Sequence, residues 1–200
     1  LDDENSYEDT MDNQDTINFY KRMTEGKVYK TTQVNVDEAY HYLQSLVKYN
    51  KPIIHLSLGS GISGTYNNFC LAKEMVVSKN PNAEIFIVDS TLASLGYGML
   101  MIEASKMRDE GSSVNDVVDY LVKVKRGVNP LFTTSTLTYL ARGGRVTKVA
   151  AIFGNVLSVR PVLRLDYDGK LLVYTKGHGK KNTLKKLLDA VAEQVRDPKT

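Results

Sequence analysis

Apolar residues along this chain follow two periods, one typical of buried strands and one typical of amphipathic helices. Segments 52–58 and 84–89 are short and largely apolar, which is typical of buried strands. Four longer segments repeat apolar residues at helical spacing: 36–47, 65–77, 92–108 and 113–124. Because strands alternate with helices, the pattern predicts an α/β fold with a doubly wound, mostly parallel sheet and helices on both faces.

The first of these long helices carries a start signal. Asn35 and Glu38 form an Asn-x-x-Glu pattern, which predicts a capping box at the beginning of the helix. A shorter amphipathic helix is predicted over 15–24, because its apolar residues fall close together at helical spacing. The polar stretch 1–14 before it predicts an exposed loop.

The pattern changes in style near Arg160. Segments 161–166 and 170–175 resemble strands, and the Asp168-Gly169 pair between them is a strong signal for the turn of an antiparallel hairpin. Three further elements are expected: a strand over 130–133, an apolar segment over 146–157 and an amphipathic helix over 180–195.

These elements predict two domains. We expect an N-terminal α/β domain over residues 1–157 and the start of a second α/β domain, with the hairpin, over residues 158–200. The chain begins at Leu1 and ends directly after a helical pattern, so we expect it to be a fragment of a longer protein.

Composition excludes several classes of protein. Hydrophobic residues make up 42% and charged residues 24%, which is ordinary for a globular protein and excludes a disordered chain. The net charge of +3 gives no large basic field, so nucleic acid is not the expected partner. No apolar run approaches the roughly 20 residues that a membrane helix needs, and we expect a cytoplasmic protein. Cys70 is the only cysteine, which excludes an internal disulfide and predicts a buried, inert thiol.

A glycine-rich loop between a predicted strand and a predicted helix is the main candidate site. Residues 59–64 match G-x-G-x-x-G, and Asp89 ends the next strand, as in dinucleotide-binding folds. The pattern predicts an anion site at the start of a helix without identifying the anion. Ser63 and Thr65 add hydroxyl donors where a carboxylate or a phosphate would lie. The structural alternative is a tight turn without a ligand, in which Ser63 caps the helix.

Three other segments offer polar side chains, namely the hydroxyls and amide of 30–33, the hydroxyls of 89–98 and the arginines of 142–145. A hydrolase nucleophile is excluded at Ser63, because the elbow motif needs glycine two residues before and two residues after the serine. Ser63 has Gly61 before it but Thr65 after it. The histidines show neither a catalytic partner nor the spacing of metal ligands, so no metal is expected.

Taken together, these segments resemble the DegV family, whose members bind fatty acids and include the fatty acid-binding subunits of bacterial fatty acid kinase. The matching segments follow the family's order and cover 31–33, 60–66, 89–98, 139–145 and 156–170. Two positions depart from the family's pattern. Val34-Asn35 replaces the usual Pro-Ser, and Gly177-His178-Gly179 stands where an arginine is common.

The resemblance implies a site for a long-chain fatty acid, with the acyl tail in an apolar tunnel. The residues that it implies for the carboxylate are Thr31, Thr32, Ser63 and Gly64, and further contacts to the anion or the tail are expected from Thr65, Ser94 and Arg145. A separate kinase subunit would transfer the phosphoryl group, because this chain has no Walker lysine motif and no kinase-type glycine loop. The chain is therefore expected to be a lipid carrier without catalytic residues or a cofactor.

Overall fold

The computed structural model describes residues 12–145 and 159–195. Its helices are α1 (Asn13–Thr24), α2 (Val36–Val47), α3 (Thr65–Lys79), α4 (Ser94–Asp109), α5 (Val114–Val124), α6 (Thr138–Arg142) and α7 (Gly179–Gln194). Its strands are β1 (Ile53–Ser57), β2 (Ile85–Asp89), β3 (Phe132–Thr133), β4 (Val159–Leu165) and β5 (Leu171–His178). The predicted apolar segment 146–157 lies outside the described residues, as does most of the predicted loop 1–14.

The first half of the fold is a parallel β1–β2 pair between two layers of helices. Ile53 lies opposite Ile85 and Ser57 lies opposite Asp89, so both strands end at the same edge. One face packs against α2 and α3, through Ala39, Leu43, Phe69, Ala72, Val76 and Ile85. The other face packs against α4 and α5, through Leu56, Val88, Leu92, Leu100, Val117 and Leu121. Helices on both faces of a parallel pair confirm the predicted fold class.

The predicted start signals form as hydrogen bonds. The Asn35 side chain accepts from the backbone N–H of Glu38 at 2.9 Å, and the Glu38 carboxylate accepts from the backbone N–H of Asn35 at 2.9 Å. The two bonds satisfy donors that a helix leaves unpaired in its first turn, so they fix where α2 begins.

The second half of the fold is an antiparallel sheet in the order β3, β4, β5. The predicted hairpin is confirmed, and its turn contains Gly169 at a φ of 73°, a conformation that favours glycine. The predicted strand near residue 130 is confirmed over Phe132–Thr133, and it pairs with β4 rather than with the parallel strands. Helix α7 packs on this sheet through Thr183 and Ala190. The division of the chain at residues 157 and 158 stays a prediction.

Close packing joins the hairpin turn to the first half of the fold. A Cβ atom at Gly61 would overlap the backbone of Asp168 and Gly169, and a Cβ atom at Gly169 would lie 3.1 Å from the Thr91 carbonyl oxygen. The turn therefore rests on the loops that follow β1 and β2. This contact places the hairpin beside the candidate anion site.

Candidate functional site

Two loops meet at the edge where β1 and β2 end, and the Asp89 carboxylate holds them together. Its oxygens accept from the Ser60 hydroxyl at 2.6 Å, the Ser60 backbone N–H at 3.0 Å and the Thr91 backbone N–H at 2.9 Å. The Gly59 backbone N–H donates to the Leu92 carbonyl oxygen at 2.9 Å. The glycine-rich loop is thus fixed to the loop after β2 before any ligand binds.

Two hydroxyl groups lie side by side where α3 begins. Ser63 Oγ and Thr65 Oγ1 are 2.9 Å apart, and the Thr65 backbone N–H donates to Ser63 Oγ at 3.2 Å. A hydroxyl has one proton to donate and two lone pairs to accept with. When Thr65 donates to Ser63, the Ser63 proton is therefore free for an acceptor outside the protein.

The start of α3 adds a favourable field for a negative charge. Its N-cap residue is Gly64, which has no side chain to satisfy the amides of the first turn. Gln33 and Ser63 accept from the backbone N–H groups of Gly64 and Thr65, which leaves the next amides of the turn for a ligand. The partial positive charge of a helix N-terminus stabilises an anion at this position.

The segment before α2 is attached to the same helix end by Gln33. The Gln33 side-chain oxygen accepts from the Gly64 backbone N–H at 2.9 Å, and the Asn68 side chain donates to the Val34 carbonyl oxygen at 2.7 Å. Thr31 and Thr32 come directly before this anchor and are exposed. The structure therefore brings their segment to Gly64 through Gln33.

Arg145 and Ser94 occupy different parts of this edge. The Arg145 Nε–H donates to the Ile62 carbonyl oxygen at 3.2 Å, which places its side chain next to the residue before Ser63. Ser94 begins α4, is exposed, and has a φ of 51°. Thr91 has a φ of 53°. The segment 91–94 therefore begins and ends with a residue in the left-handed backbone conformation, which costs energy for any residue other than glycine.

The glycines of the G-x-G-x-x-G match are explained by contacts within the protein. A Cβ atom at Gly59 would lie 2.9 Å from the Leu92 backbone nitrogen, and one at Gly64 would overlap the Gln33 side chain. Gly61 is covered by the hairpin turn. Since Asp89 is bound to Ser60 and Thr91, its carboxylate also has partners other than a ribose. These contacts remove the reasons for favouring a dinucleotide site.

Burial shifts the pKa values of two groups near this edge. His55 stacks on Phe69 with 3.6 Å between ring centroids, and burial lowers its pKa from the usual 6.5 to about 4. Its Nε2 and the Ser57 Oγ are buried without a hydrogen-bond partner among residues 12–145 and 159–195. His55 is therefore an interior histidine whose Nε2 the described residues leave without a hydrogen bond.

Tyr66 is half-buried in the first turn of α3. Burial raises its pKa, as do a hydrogen bond with Cys70 and the negative charge of Asp89. Cys70 is half-buried, so the predicted burial of its thiol is only partial. The phenol of Tyr66 stays protonated at neutral pH and can donate a hydrogen bond.

Comparison with known proteins decides the family. A family model described as "Uncharacterised protein, DegV family" matches residues 1–200. The chain belongs to the DegV family. A DegV domain-containing protein of Clostridium perfringens is 34% identical over 197 residues, which are 98% of this chain and 68% of that protein. The chain spans 59% of a Lactococcus lactis relative and 65% of one from Caldanaerobacter subterraneus.

Solved DegV structures share the fold. A DegV lipid-binding protein from Thermotoga maritima has a TM-score of 0.77 and 29% identity, over 93% of this chain and 64% of that one. A stearic acid-binding protein from Eubacterium ventriosum has a TM-score of 0.80 and 26% identity, over 88% of this chain and 61% of that one. The fatty acid kinase B3 protein of Streptococcus pneumoniae, loaded with linoleic acid, has a TM-score of 0.79 over 90% of this chain and 63% of its own. At 21% identity, this last comparison supports the fold alone.

Sequence reasoning missed two contacts at this edge of the DegV chain. It treated Gln33 as part of a polar loop, whereas the structure makes it the anchor of that loop. It gave Lys125 no role, whereas the Lys125 Nζ donates to the Asp89 carbonyl oxygen at 2.6 Å. Neither contact has a local sequence signal, because the partners are 31 and 36 residues apart.

Cavities of this DegV chain lie at both ends of the parallel strands. One of about 400 Å³ lies at the start of β1 and β2, beside Pro52 and Ala83, and one of about 40 Å³ lies beside Thr91 and Arg126. Neither is lined by Ser63, so the apolar tunnel stays a prediction. Within the described ranges, no helix combines the length and apolar character that a membrane crossing requires.

Proposed function

We propose that this chain binds a long-chain fatty acid, with its carboxylate at the start of α3 and its acyl tail in an apolar tunnel. The observation that carries the proposal is the Ser63–Thr65 hydroxyl pair, 2.9 Å apart at a helix N-terminus. It is supported by DegV relatives of 26% and 29% identity that are named as a stearic acid-binding protein and a lipid-binding protein.

The carboxylate contacts follow from the donors at this edge. The Ser63 hydroxyl donates to one oxygen, and the unpaired amides of the first turn of α3 and the helix field stabilise the negative charge. Gly64 contributes through the tight backbone that it provides between Ser63 and Thr65, since its own N–H donates to Gln33. Thr31 and Thr32 add hydroxyls from the segment that Gln33 attaches to Gly64, at 2.9 Å. Thr65, Ser94 and Arg145 contribute further contacts to the anion or the tail.

Most of the affinity comes from the tail. Each buried methylene contributes about 0.8 kcal/mol, so a long acyl chain binds tightly with one modest polar anchor. The head group then sets the orientation of the acid rather than its affinity. This division of roles suits a carrier, because the carboxylate stays at an edge that another protein can reach.

A partner kinase subunit would phosphorylate the carboxylate while this chain holds it. The kinase-associated protein of the same fold supports this role only through its architecture. Lys180 and Lys181 are exposed at the start of α7 and are the surface that we expect the kinase to contact. Phosphorylation of the carboxylate by the kinase needs ATP, so we expect the complex to work in the cytoplasm. We expect the chain to be organised as two domains, 1–157 and 158–200.

The deciding experiment is denaturing extraction of the purified protein followed by mass spectrometry. Fatty acid at near-stoichiometric amounts is the expected result. A dinucleotide without lipid would overturn the proposal, and so would a protein that carries neither and takes up no added fatty acid. A second test replaces Ser63 by alanine, which should reduce the amount of bound fatty acid. Ser60→Ala is its matched control, because Ser60 lies in the same loop and its hydroxyl already donates to Asp89.

A further inference from the structure

A second cleft lies beside the loop after β2, and three of its lining residues are cations. Lys125 and Arg126, in the 3-10 turn Lys125–Gly127 after α5, form one wall, and Arg164 of β4 forms another. Thr91, Asn129, Asp166 and Tyr167 complete the polar lining. Its volume is about 40 Å³.

The three cations have no carboxylate partner in the part of the chain that the structure describes. Lys125 Nζ donates to the carbonyl oxygen of Asp89 at 2.6 Å, and the Arg164 guanidinium lies 5.6 Å from the centre of the Tyr174 ring. Neither contact neutralises a positive charge. Arg126 is exposed and makes no described ion pair.

Asp166 is the one acid in the lining, and its role is in the hairpin turn. Its Oδ1 accepts from the backbone N–H groups of Asp168 at 3.0 Å and Lys170 at 2.8 Å. The cleft therefore brings together three positive charges and one negative charge. The three positive charges repel each other, and an anion bound between them would offset that repulsion.

We propose that this cleft binds a small phosphate-class oxyanion, either free phosphate or the terminal group of a small phosphomonoester. Two guanidinium groups and an ammonium are the donors that recognise such an anion, because arginine presents a fork of N–H groups and lysine a point charge. A single buried water needs roughly 10–15 Å³ by the same measure. At about 40 Å³ the cleft has room for a single oxyanion group.

This anion site is separate from the carboxylate site at Ser63. None of the residues that line the cleft belongs to the proposed carboxylate site, and the hairpin turn packs on both Gly61 of the glycine-rich loop and Thr91 of the cleft. The anion would join the turn after α5 to β4, and thereby tie the hairpin to the parallel half of the fold. The proposal does not depend on fatty acid binding.

The test is a titration of the 15N-labelled protein with inorganic phosphate at constant ionic strength, with chloride as the balancing anion. We expect saturable shifts of the backbone resonances of Thr91, Arg126 and Arg164. Arg126→Gln should weaken phosphate binding on the order of tenfold. Arg164→Gln should do the same, and Lys123→Gln is the matched control, because Lys123 is exposed on α5 and does not line the cleft.

A parallel titration with methyl phosphate distinguishes the two sources of the anion. Stronger binding of inorganic phosphate supports a free ion, and equal or stronger binding of methyl phosphate supports a terminal phosphoryl group. The proposal is overturned if neither ligand gives saturable shifts at the cleft, or if Lys123→Gln weakens binding as much as Arg126→Gln. Fatty acid affinity, measured on the same variants, should stay unchanged, so failure here leaves the proposed function intact.

Discussion

Replacing Ser63 by alanine removes one hydroxyl with two roles that can be measured separately. In the free protein, Ser63 Oγ accepts from the Thr65 backbone N–H at 3.2 Å and lies 2.9 Å from Thr65 Oγ1. In the proposed complex, the same hydroxyl donates its proton to the fatty acid carboxylate. The first role contributes to folding stability and the second to affinity.

The magnitudes of the two effects differ because one bond is neutral and the other is charge-assisted. Losing a half-buried neutral hydrogen bond should lower the free energy of unfolding by about 0.5–1.5 kcal/mol. Losing a hydrogen bond to a carboxylate is worth about 1.5–3 kcal/mol, which corresponds to roughly 10- to 150-fold weaker binding. The tail contacts remain, so binding stays detectable. Phosphorylation of the bound acid should fall further, because the head group loses its position.

Two measurements on the same purified variant separate these effects. Urea denaturation of the lipid-free protein gives the free energy of unfolding, and calorimetric titration with a fatty acid gives the affinity. Ser60→Ala is the control, because it removes a 2.6 Å hydrogen bond to Asp89 in the same loop, while the Ser60 backbone N–H keeps its own bond to that carboxylate. We expect the control to lose about 1 kcal/mol of stability and to keep its affinity within about threefold.

The pattern of results decides the role of Ser63. Lower affinity of Ser63→Ala with an unchanged Ser60→Ala supports the carboxylate contact. Lower stability of Ser63→Ala with unaltered affinity refutes it and leaves Ser63 as a residue that only caps the start of α3. Equal losses of affinity in both variants would also refute it, since the loop conformation rather than the Ser63 hydroxyl would then be responsible.

Three further predictions follow from other parts of the structure. Gly61→Ala should destabilise the protein by about 1–3 kcal/mol in urea denaturation, because the new Cβ would overlap the hairpin turn. The control is Gly98→Ala, which lies in open space within α4 and should stabilise the protein by about 1 kcal/mol. Equal effects of the two substitutions would contradict the packing of the turn on Gly61. Burial holds the pKa of His55 at about 4, below its usual 6.5, so the unfolded chain takes up the proton first as the pH falls. The free energy of unfolding should therefore fall by about 1–2 kcal/mol between pH 6.5 and pH 4, a figure reduced for the partial exposure of the ring. His55→Gln should flatten that pH profile, and a profile unchanged by the substitution would refute the assignment. Reversing the charge of Lys180 and Lys181 should lower acyl phosphate formation with a partner kinase at subsaturating carrier and leave fatty acid affinity unchanged; unaltered turnover would remove this surface from the proposal.

Local sequence signals determined the elements and the fold class. The apolar periods located β1, β2 and the helices around them, and the Asn35–Glu38 pattern located the first residue of α2. The Asp168-Gly169 pair located the hairpin turn. These features depend on residues within four positions of each other, so backbone conformation and side-chain period are sufficient to predict them.

The tertiary structure decided what the glycine-rich loop is for. The same G-x-G-x-x-G letters suit a dinucleotide loop, and only the folded chain shows that protein atoms cover Gly59, Gly61 and Gly64. Local signals also did not predict that β3 pairs with β4, because the sequence of a strand does not determine which other strand it pairs with.

Long-range contacts explain why the sequence predicted the elements but did not predict the side chains that hold the site together. Asp89 binds Ser60 across 29 residues of sequence, and Gln33 binds Gly64 across 31. Such pairs form only after the helical layers have packed on both faces of β1 and β2, because that packing brings the strand ends and their loops to one edge. The sequence by itself therefore determined which elements form and that an anion site was expected at the start of α3, while packing decided which side chains hold that site in place.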